Sequence, residues 1–312
     1  MALTRAEAFE ALGQVVRARH DLSVDSSSLL EDTQLQLYAQ ATEVPYQRYA
    51  EVYKGMKSRV GGHPDYDHLA DPEYAGTTQE GEVATFFLDL KNFTKYCLLL
   101  SRQTVYQAKG AVIEAAIAIA RIYGGHLHDI PGDGTLVFFG GAQEELLDAA
   151  GRALQAACDS MALLEEVVIP EYNDDERYPN IYPKMGLDCG VALWGAYGCR
   201  PDYEVKATAF NVDIASKMMD GCNAREIAIG DDLKQLLDID EKEYLERGWK
   251  YVRRLTVEGE EREVSYQTWK LDWRSFRDDL MQSDGDLSQL GRAGPLPKVS
   301  PSKSSLGDAP LA

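Results

Sequence analysis

The chain has 312 residues, of which 51 are acidic and 32 basic, for a formal net charge of −19 at pH 7. Nucleic acid polymers and anionic membranes are normally met by clustered Lys and Arg; no such cluster occurs, so neither is an expected partner. A small anionic substrate stays open, because acidic side chains can hold a divalent cation that in turn holds phosphate.

With 45% hydrophobic residues the chain can build a sizeable core. No apolar run approaches the roughly 20 residues that span a bilayer. The opening MALTRAEAFEALGQVVRARH has no signal-peptide core and reads as an amphipathic helix. Five cysteines, at 97, 158, 189, 199 and 222, form no CxxC pair, which suits free thiols in a reducing cytosol. A cytoplasmic location is the expectation.

In chain order, residues 1–80 read as a helical or irregular extension, with helical candidates over 4–20 and 29–56. Tyr46, Tyr49 and Tyr53 in the second candidate are a packing stripe or, less simply, an aromatic wall for a base. The stretch GGHPDYDHLADPEYAGTTQEG (61–81) is rich in turn formers and charges and predicts a surface segment. EVATFFLDL predicts a buried strand. Residues 101–122 predict a long helix, opened by Ser101 as N-cap and closed by Gly124 and Gly125. HLHDI and TLVFFG around PGDG predict a hairpin, with His126 and His128 as alternating strand residues. A second Ala/Leu helix covers about 143–165. YPKMGLDCGVALWGAYG predicts a strand or strand pair with glycines at a tight turn. Residues 210–221 predict a helix, EIAIG a strand, DDLKQLLDI a short helix, and YVRRLTVEGEEREVSYQTWKL a hairpin turning near Glu258–Glu261. Residues 283–312, rich in Ser, Pro and Gly and without an aromatic, predict a disordered tail. The order over 81–272 predicts an α+β, ferredoxin-like domain with helices on one face of an antiparallel-rich sheet.

Two aspartates stand out. Asp89 ends the first strand and Asp133 sits at the tip of the hairpin. An ionised carboxylate at an apolar strand end is costly unless paired or metal-bound. If the two strands are neighbours the carboxylates converge, and two hard oxygen ligands suit Mg²⁺ or Mn²⁺. A turn aspartate and a capping aspartate are the plainer alternative for each residue taken alone.

Four motifs in order resemble those of class III nucleotidyl cyclases. FFLDLKNFT resembles the F-x-D-[IL]-x-x-[FS]-T opening, and HDIPGDGTLVFFG the strand–G-D–strand hairpin. MGLDCGVALWGAYG resembles the glycine-bearing strand that follows, and DIASKM the N-x-A-x-R-[LM] helix. The resemblance implies a cyclase catalytic domain over 81–272 that works as a homodimer, with each active site made by both chains. It implies two metal ions per site, Mn²⁺ or Mg²⁺, held by Asp89, Asp133 and the carbonyl of Leu90. The backbone N–H groups of Asn92, Phe93 and Thr94 would cradle the triphosphate. Two departures stand in the helix motif, where Asp213 replaces the asparagine and Lys217 the arginine, both expected to act in catalysis. A lysine of the late hairpin falls on Glu258, with Arg254 or Arg262 as possible substitutes. Ser/His/Asp patterns and Gly-rich phosphate loops are absent.

By the same resemblance the base-reading positions are Asp129 and Lys206. A carboxylate wants a base N–H and an ammonium wants a carbonyl. Uracil offers N3–H between two carbonyls, cytosine its amino group with N3 or O2, and adenine no carbonyl. With these shifted base residues, and Asp213 and Lys217 in the helix motif, the chain resembles the pyrimidine cyclases of the Pycsar antiphage defence systems. The expected reaction is UTP to 3′,5′-cyclic UMP and pyrophosphate, with CTP second and purine nucleotides third, the product signalling to a separate cyclic-nucleotide-responsive effector. A non-catalytic dimeric nucleotide sensor is the alternative from another functional class.

Overall fold

The computed structural model describes residues 61–170, 180–199, 202–257 and 260–282. The helical candidates over 4–20 and 29–56, with Tyr46, Tyr49 and Tyr53, lie outside the described residues. So do Glu258 at the expected hairpin turn and the tail 283–312.

The first strand, β1 (Thr78–Lys91), runs into a short helix α1 (Phe93–Leu99) and then α2 (Arg102–Ile122). Ser101 caps α2, its Oγ accepting from the N–H of Thr104, and Gly124 beyond the end takes a φ of 77°. Such a cap stabilises a helix by about 1 kcal/mol. The hairpin β2 (His126–Asp129) and β3 (Thr135–Gly141) follows, then α3 (Leu146–Leu163), which widens into a π turn over Leu164–Val168. Next come β4 (Tyr182–Cys199), β5 (Asp202–Thr208), α4 (Phe210–Gly221), β6 (Ile227–Gly230), α5 (Asp231–Leu236) and α6 (Glu241–Tyr244). The long hairpin β7 (Leu245–Val257) and β8 (Glu260–Leu271) leads to α7 (Trp273–Gln282).

The sheet order is β2-β3-β1-β4-β6-β8-β7, with β5 paired on β4. β1 is antiparallel to both β3 and β4, which is the ferredoxin-like centre; β6 pairs parallel to β4 and starts the extension. The strands alternate. Ala84, Phe86 and Leu88 of β1 join α2 and α3 in the larger core, while Val83 and Phe87 join Ile214, Ala215 and Met218 of α4 in a second core. Helices therefore cover both faces of the sheet, not one. The 3.6-residue period of α4 shows that one stripe is buried but not which side of the sheet receives it.

Three other features depart from expectation. β4 is one strand of 18 residues, the simpler of the two forms expected, but Gly186 gives clearance rather than a tight turn. A Cβ on Gly186 would stand 2.2 Å from the carbonyl oxygen of Ala215. The segment from Gly61 lies on the surface only in its later part, 71–78: Tyr66 is fully buried and stacks on Trp194 at 4.6 Å, and His63 is buried beside them. Finally, β5 and α7 were not foreseen; Trp273, Phe276 and Leu280 of α7 are buried against the main core.

Candidate active site

Strand pairing brings the two aspartates together. The β1–β3 register pairs Leu88 with Thr135, so Asp89 emerges where the hairpin turn begins. In that turn Gly132 has a φ of 60°, and the N–H of Gly134 donates to the carbonyl of Pro131 at 3.0 Å. Gly134 has to be glycine, because a Cβ there would lie 2.2 Å from the carbonyl oxygen of Leu88. This close approach sets Asp133 near enough to Asp89 for the charge of one carboxylate to act on the other. Partial burial, together with the negative charge of Asp89, pushes the Asp133 carboxyl up to about 6. Two acids in one place, one of them reluctant to ionise, form a site that is short of positive charge.

A cation from the chain already stands there. Lys184 Nζ of β4 lies 3.0 Å from Asp89 Oδ2 and 3.6 Å from Asp220 Oδ1, with its side chain 8% exposed. Among the described residues no group of three or more His, Cys, Asp or Glu side chains could hold a metal. Two carboxylates alone are hard oxygen donors of the kind that suits a divalent cation, and any further ligands would have to be backbone, water or substrate oxygens.

Beyond β1 the chain turns into α1 through Asn92, which takes a left-handed φ of 70°. The first N–H groups of a helix have no intrahelical acceptor. Those of Phe93 and Thr94 stand at the start of this turn, a few residues from Asp89. The side chain of Asn92 donates to the carbonyl of Asn180 at 3.4 Å.

Asp129 and Lys206 are also in contact. Lys206 Nζ donates to Asp129 Oδ2 at 3.1 Å, and the Ile130 N–H donates to Asp129 Oδ1 at 2.8 Å. Burial alone would raise the Asp129 carboxyl, but these two donors outweigh it and hold it below the usual range. Burial likewise opposes the Lys206 charge and is outweighed by Glu204 and Asp129, so the ammonium is held above its ordinary value.

Asp213 and Lys217 pair with each other, one turn apart on the exposed side of α4. Among the described residues neither forms an ion pair or hydrogen bond with Asp89 or Asp133. Arg254, a candidate for the missing hairpin lysine, is exposed and pairs with Glu263 at 3.4 Å; Glu258 and the side chain of Arg262 lie outside the description.

No protein-family model matches the chain. Over 196 residues it is 34% identical to a cytidylate cyclase of Escherichia coli, a stretch covering 60% of this chain and 41% of that one. Over 186 residues it is 31% identical to a cytidylate cyclase of Staphylococcus aureus, covering 59% and 43%. The chain thus spans about two fifths of the length of these relatives. Among solved structures it is similar to the adenylyl cyclase CyaB of P. aeruginosa, with a TM-score of 0.51, 20% identity and coverage of 62% of this chain and 95% of that one. The guanylyl cyclase Cya2 gives a TM-score of 0.50 at 18% identity, with 62% and 92% covered. The fold is that of a class III nucleotidyl cyclase catalytic domain.

Within this domain two residues close to the candidate site belong to none of the sequence motifs. Lys184 was visible as a polar residue in an apolar strand. Glu204, whose Oε2 lies 3.0 Å from Lys206 Nζ, sits on β5, a strand signalled by the alternation in DYEVKAT.

Proposed function

We propose that the chain is a pyrimidine nucleotide cyclase that forms a 3′,5′-cyclic monophosphate and pyrophosphate. The convergence of Asp89 and Asp133 at one edge of a cyclase fold carries this reading. The ribose 3′-oxygen bonds to the α-phosphorus as the bond from that phosphorus to the bridging oxygen of pyrophosphate breaks. Asp89 and Asp133, with the Leu90 carbonyl, would hold Mn²⁺ or Mg²⁺, two ions per site as the sequence resemblance implies. The ions, when bound, supply Lewis acidity that lowers the pKa of the 3′-hydroxyl and offsets phosphoryl charge. The N–H groups of Asn92, Phe93 and Thr94 orient the triphosphate. Lys217 supplies a cation for charge developing on the phosphoryl oxygens, from the other protomer of a homodimer whose sites both chains complete. Asp213 holds that lysine in place.

CTP stands ahead of UTP as substrate, which reverses the order read from the sequence. The relatives named cytidylate cyclases support CTP, and an Asp129 carboxylate accepts well from the cytosine amino group. UTP is the second reading, because uracil N3–H can also donate to Asp129 while O4 accepts from Lys206. The product would act as a second messenger to a separate effector in antiphage defence, in the cytoplasm. No helix among the described residues is long and apolar enough to cross a membrane. The test is incubation of the purified chain with each of the four nucleoside triphosphates and Mn²⁺, followed by product analysis. Cyclic CMP is expected to dominate, and no cyclic product from any nucleotide would overturn the reading.

A further inference from the structure

Lys206 does not face Asp129 alone. Alternation along β5 puts Glu204 and Lys206 on the same face of the strand, and Lys206 Nζ lies 3.0 Å from Glu204 Oε2 and 3.1 Å from Asp129 Oδ2. One ammonium between two carboxylates leaves the cluster with a net charge of −1. Both acids remain open to a ligand, with side chains 38% and 47% exposed for Glu204 and Asp129. Across the strand pair Gly195 stands opposite Lys206 and has no side chain to cover it. Tyr197 stands opposite Glu204 and is itself exposed.

We propose that Glu204 is a third base-selecting residue, which works with Asp129 and Lys206 to favour a base carrying an exocyclic amino group next to an acceptor. This deepens the cyclase reading and rests on it. The amino group of cytosine has two hydrogens and can serve two carboxylates at once, while Lys206 reaches the neighbouring N3 or O2. Uracil brings a single N–H flanked by two carbonyl oxygens. With Asp129 satisfied by that N–H, Glu204 is left against carbonyl lone pairs, and its charge makes the contact repulsive. Specificity then comes from a repulsive element against the wrong base as well as an attractive one for the right base. A two-residue reading, with Asp129 and Lys206 alone, has no such term and accepts both pyrimidines.

The experiment is the ratio of kcat/KM for CTP over UTP in the wild type, E204Q and E204D. A ratio is unaffected by the folded fraction of a preparation, so partial misfolding of a variant does not blur it. E204Q removes the charge and turns an N–H toward the uracil carbonyl, and is expected to lower the ratio by about tenfold or more. E204D keeps the charge one methylene further back and is expected to restore part of the ratio. An unchanged ratio in E204Q, or a wild type that prefers UTP, would overturn the role of Glu204 and leave the cyclase reading intact. A wild type that forms no cyclic nucleotide would overturn the cyclase reading itself.

Discussion

Lys184 Nζ lies 3.0 Å from Oδ2 of Asp89, and this ammonium sits where the paired acids Asp89 and Asp133 concentrate negative charge. The side chain is almost fully buried. Among the described residues it is the cation paired with Asp89. Its replacement by methionine keeps the aliphatic volume but leaves the acids uncompensated. Breaking one partner of a buried pair costs about 3–5 kcal/mol in full burial, and less where, as here, Asp89 keeps some solvent contact. K184M is expected to lose about 1–3 kcal/mol of metal-free stability. Thermal denaturation with and without Mn²⁺ checks this: Mn²⁺ should raise the Tm of K184M by more than it raises that of the wild type. An equal rise in both would show that Lys184 is not a counter-ion of the metal site.

Asp133 makes a trade between stability and activity measurable. Its carboxyl is pushed up to about 6 by burial and by Asp89, so its folded-state value lies above the unfolded one. For an acid this means that ionisation disfavours the fold, and the metal-free protein gains stability as pH falls through 6 toward the unfolded value. Asparagine at this position removes the charge. D133N is expected to be at least as stable as the metal-free wild type at pH 7, and to lose both turnover and the stabilisation by Mn²⁺. D89N should lose the same two properties. Retained turnover in either variant would refute the assignment of these acids as metal ligands.

Lys217 separates function from stability in another way. Its ion pair with Asp213 is solvent-exposed and spans one helical turn, an arrangement worth about 0.3–0.5 kcal/mol. K217A should therefore change the urea midpoint very little. If Lys217 meets transition-state charge, kcat should fall by about 10²-fold while KM moves less. K217R, which adds a planar fork, should keep most of the activity. A K217A variant with full kcat would reduce the residue to a surface partner of Asp213.

The central elements were legible because each carries its signal locally. Ser101 and Gly124 bracket a 21-residue helix, and PGDG marks the turn that delivers Asp133. What was not legible depends on packing between distant segments. The glycines of β4 look like turn residues, yet Gly186 is needed because the backbone of α4 comes close to it. Polar letters made the whole of 61–81 look solvent-facing; residues 71–78 are exposed, whereas His63 and Tyr66 are buried by partners more than 60 residues away. Asp129 and Lys206, 77 residues apart, were paired through a family resemblance rather than a periodic pattern. Glu204 had no motif to mark it and is found through its distance to Lys206.

The same buried segment yields a pH dependence. His63, His126 and His128 are nearly inaccessible and cluster around Trp194 and the backbone of Gly62. The Gly62 carbonyl accepts from His126 Nε2 at 3.0 Å and from His128 Nδ1 at 2.8 Å. His63 Nδ1 accepts from the N–H of Asp65 at 3.2 Å, which leaves its proton on Nε2. His63 is thereby held neutral, and burial disfavours the charged form of all three rings. Burial first, then the neighbouring histidine, lowers His63 to about 3 and His126 to about 4, from an ordinary value of 6.5. Below 6.5 the unfolded chain takes up protons that the folded chain refuses. Stability is therefore complete above that pH and is lost as pH falls toward the folded values. At pH 5 the loss amounts to about 2 kcal/mol for each of these two histidines. Urea denaturation at pH 7.5 and pH 5 measures it. The midpoint of the wild type should fall steeply between the two. H126Q, which keeps a donor for Gly62 but cannot be protonated, should start lower at pH 7.5 and lose less on acidification. An H126Q protein with the wild-type slope would show that the histidines are not what makes the fold acid-sensitive.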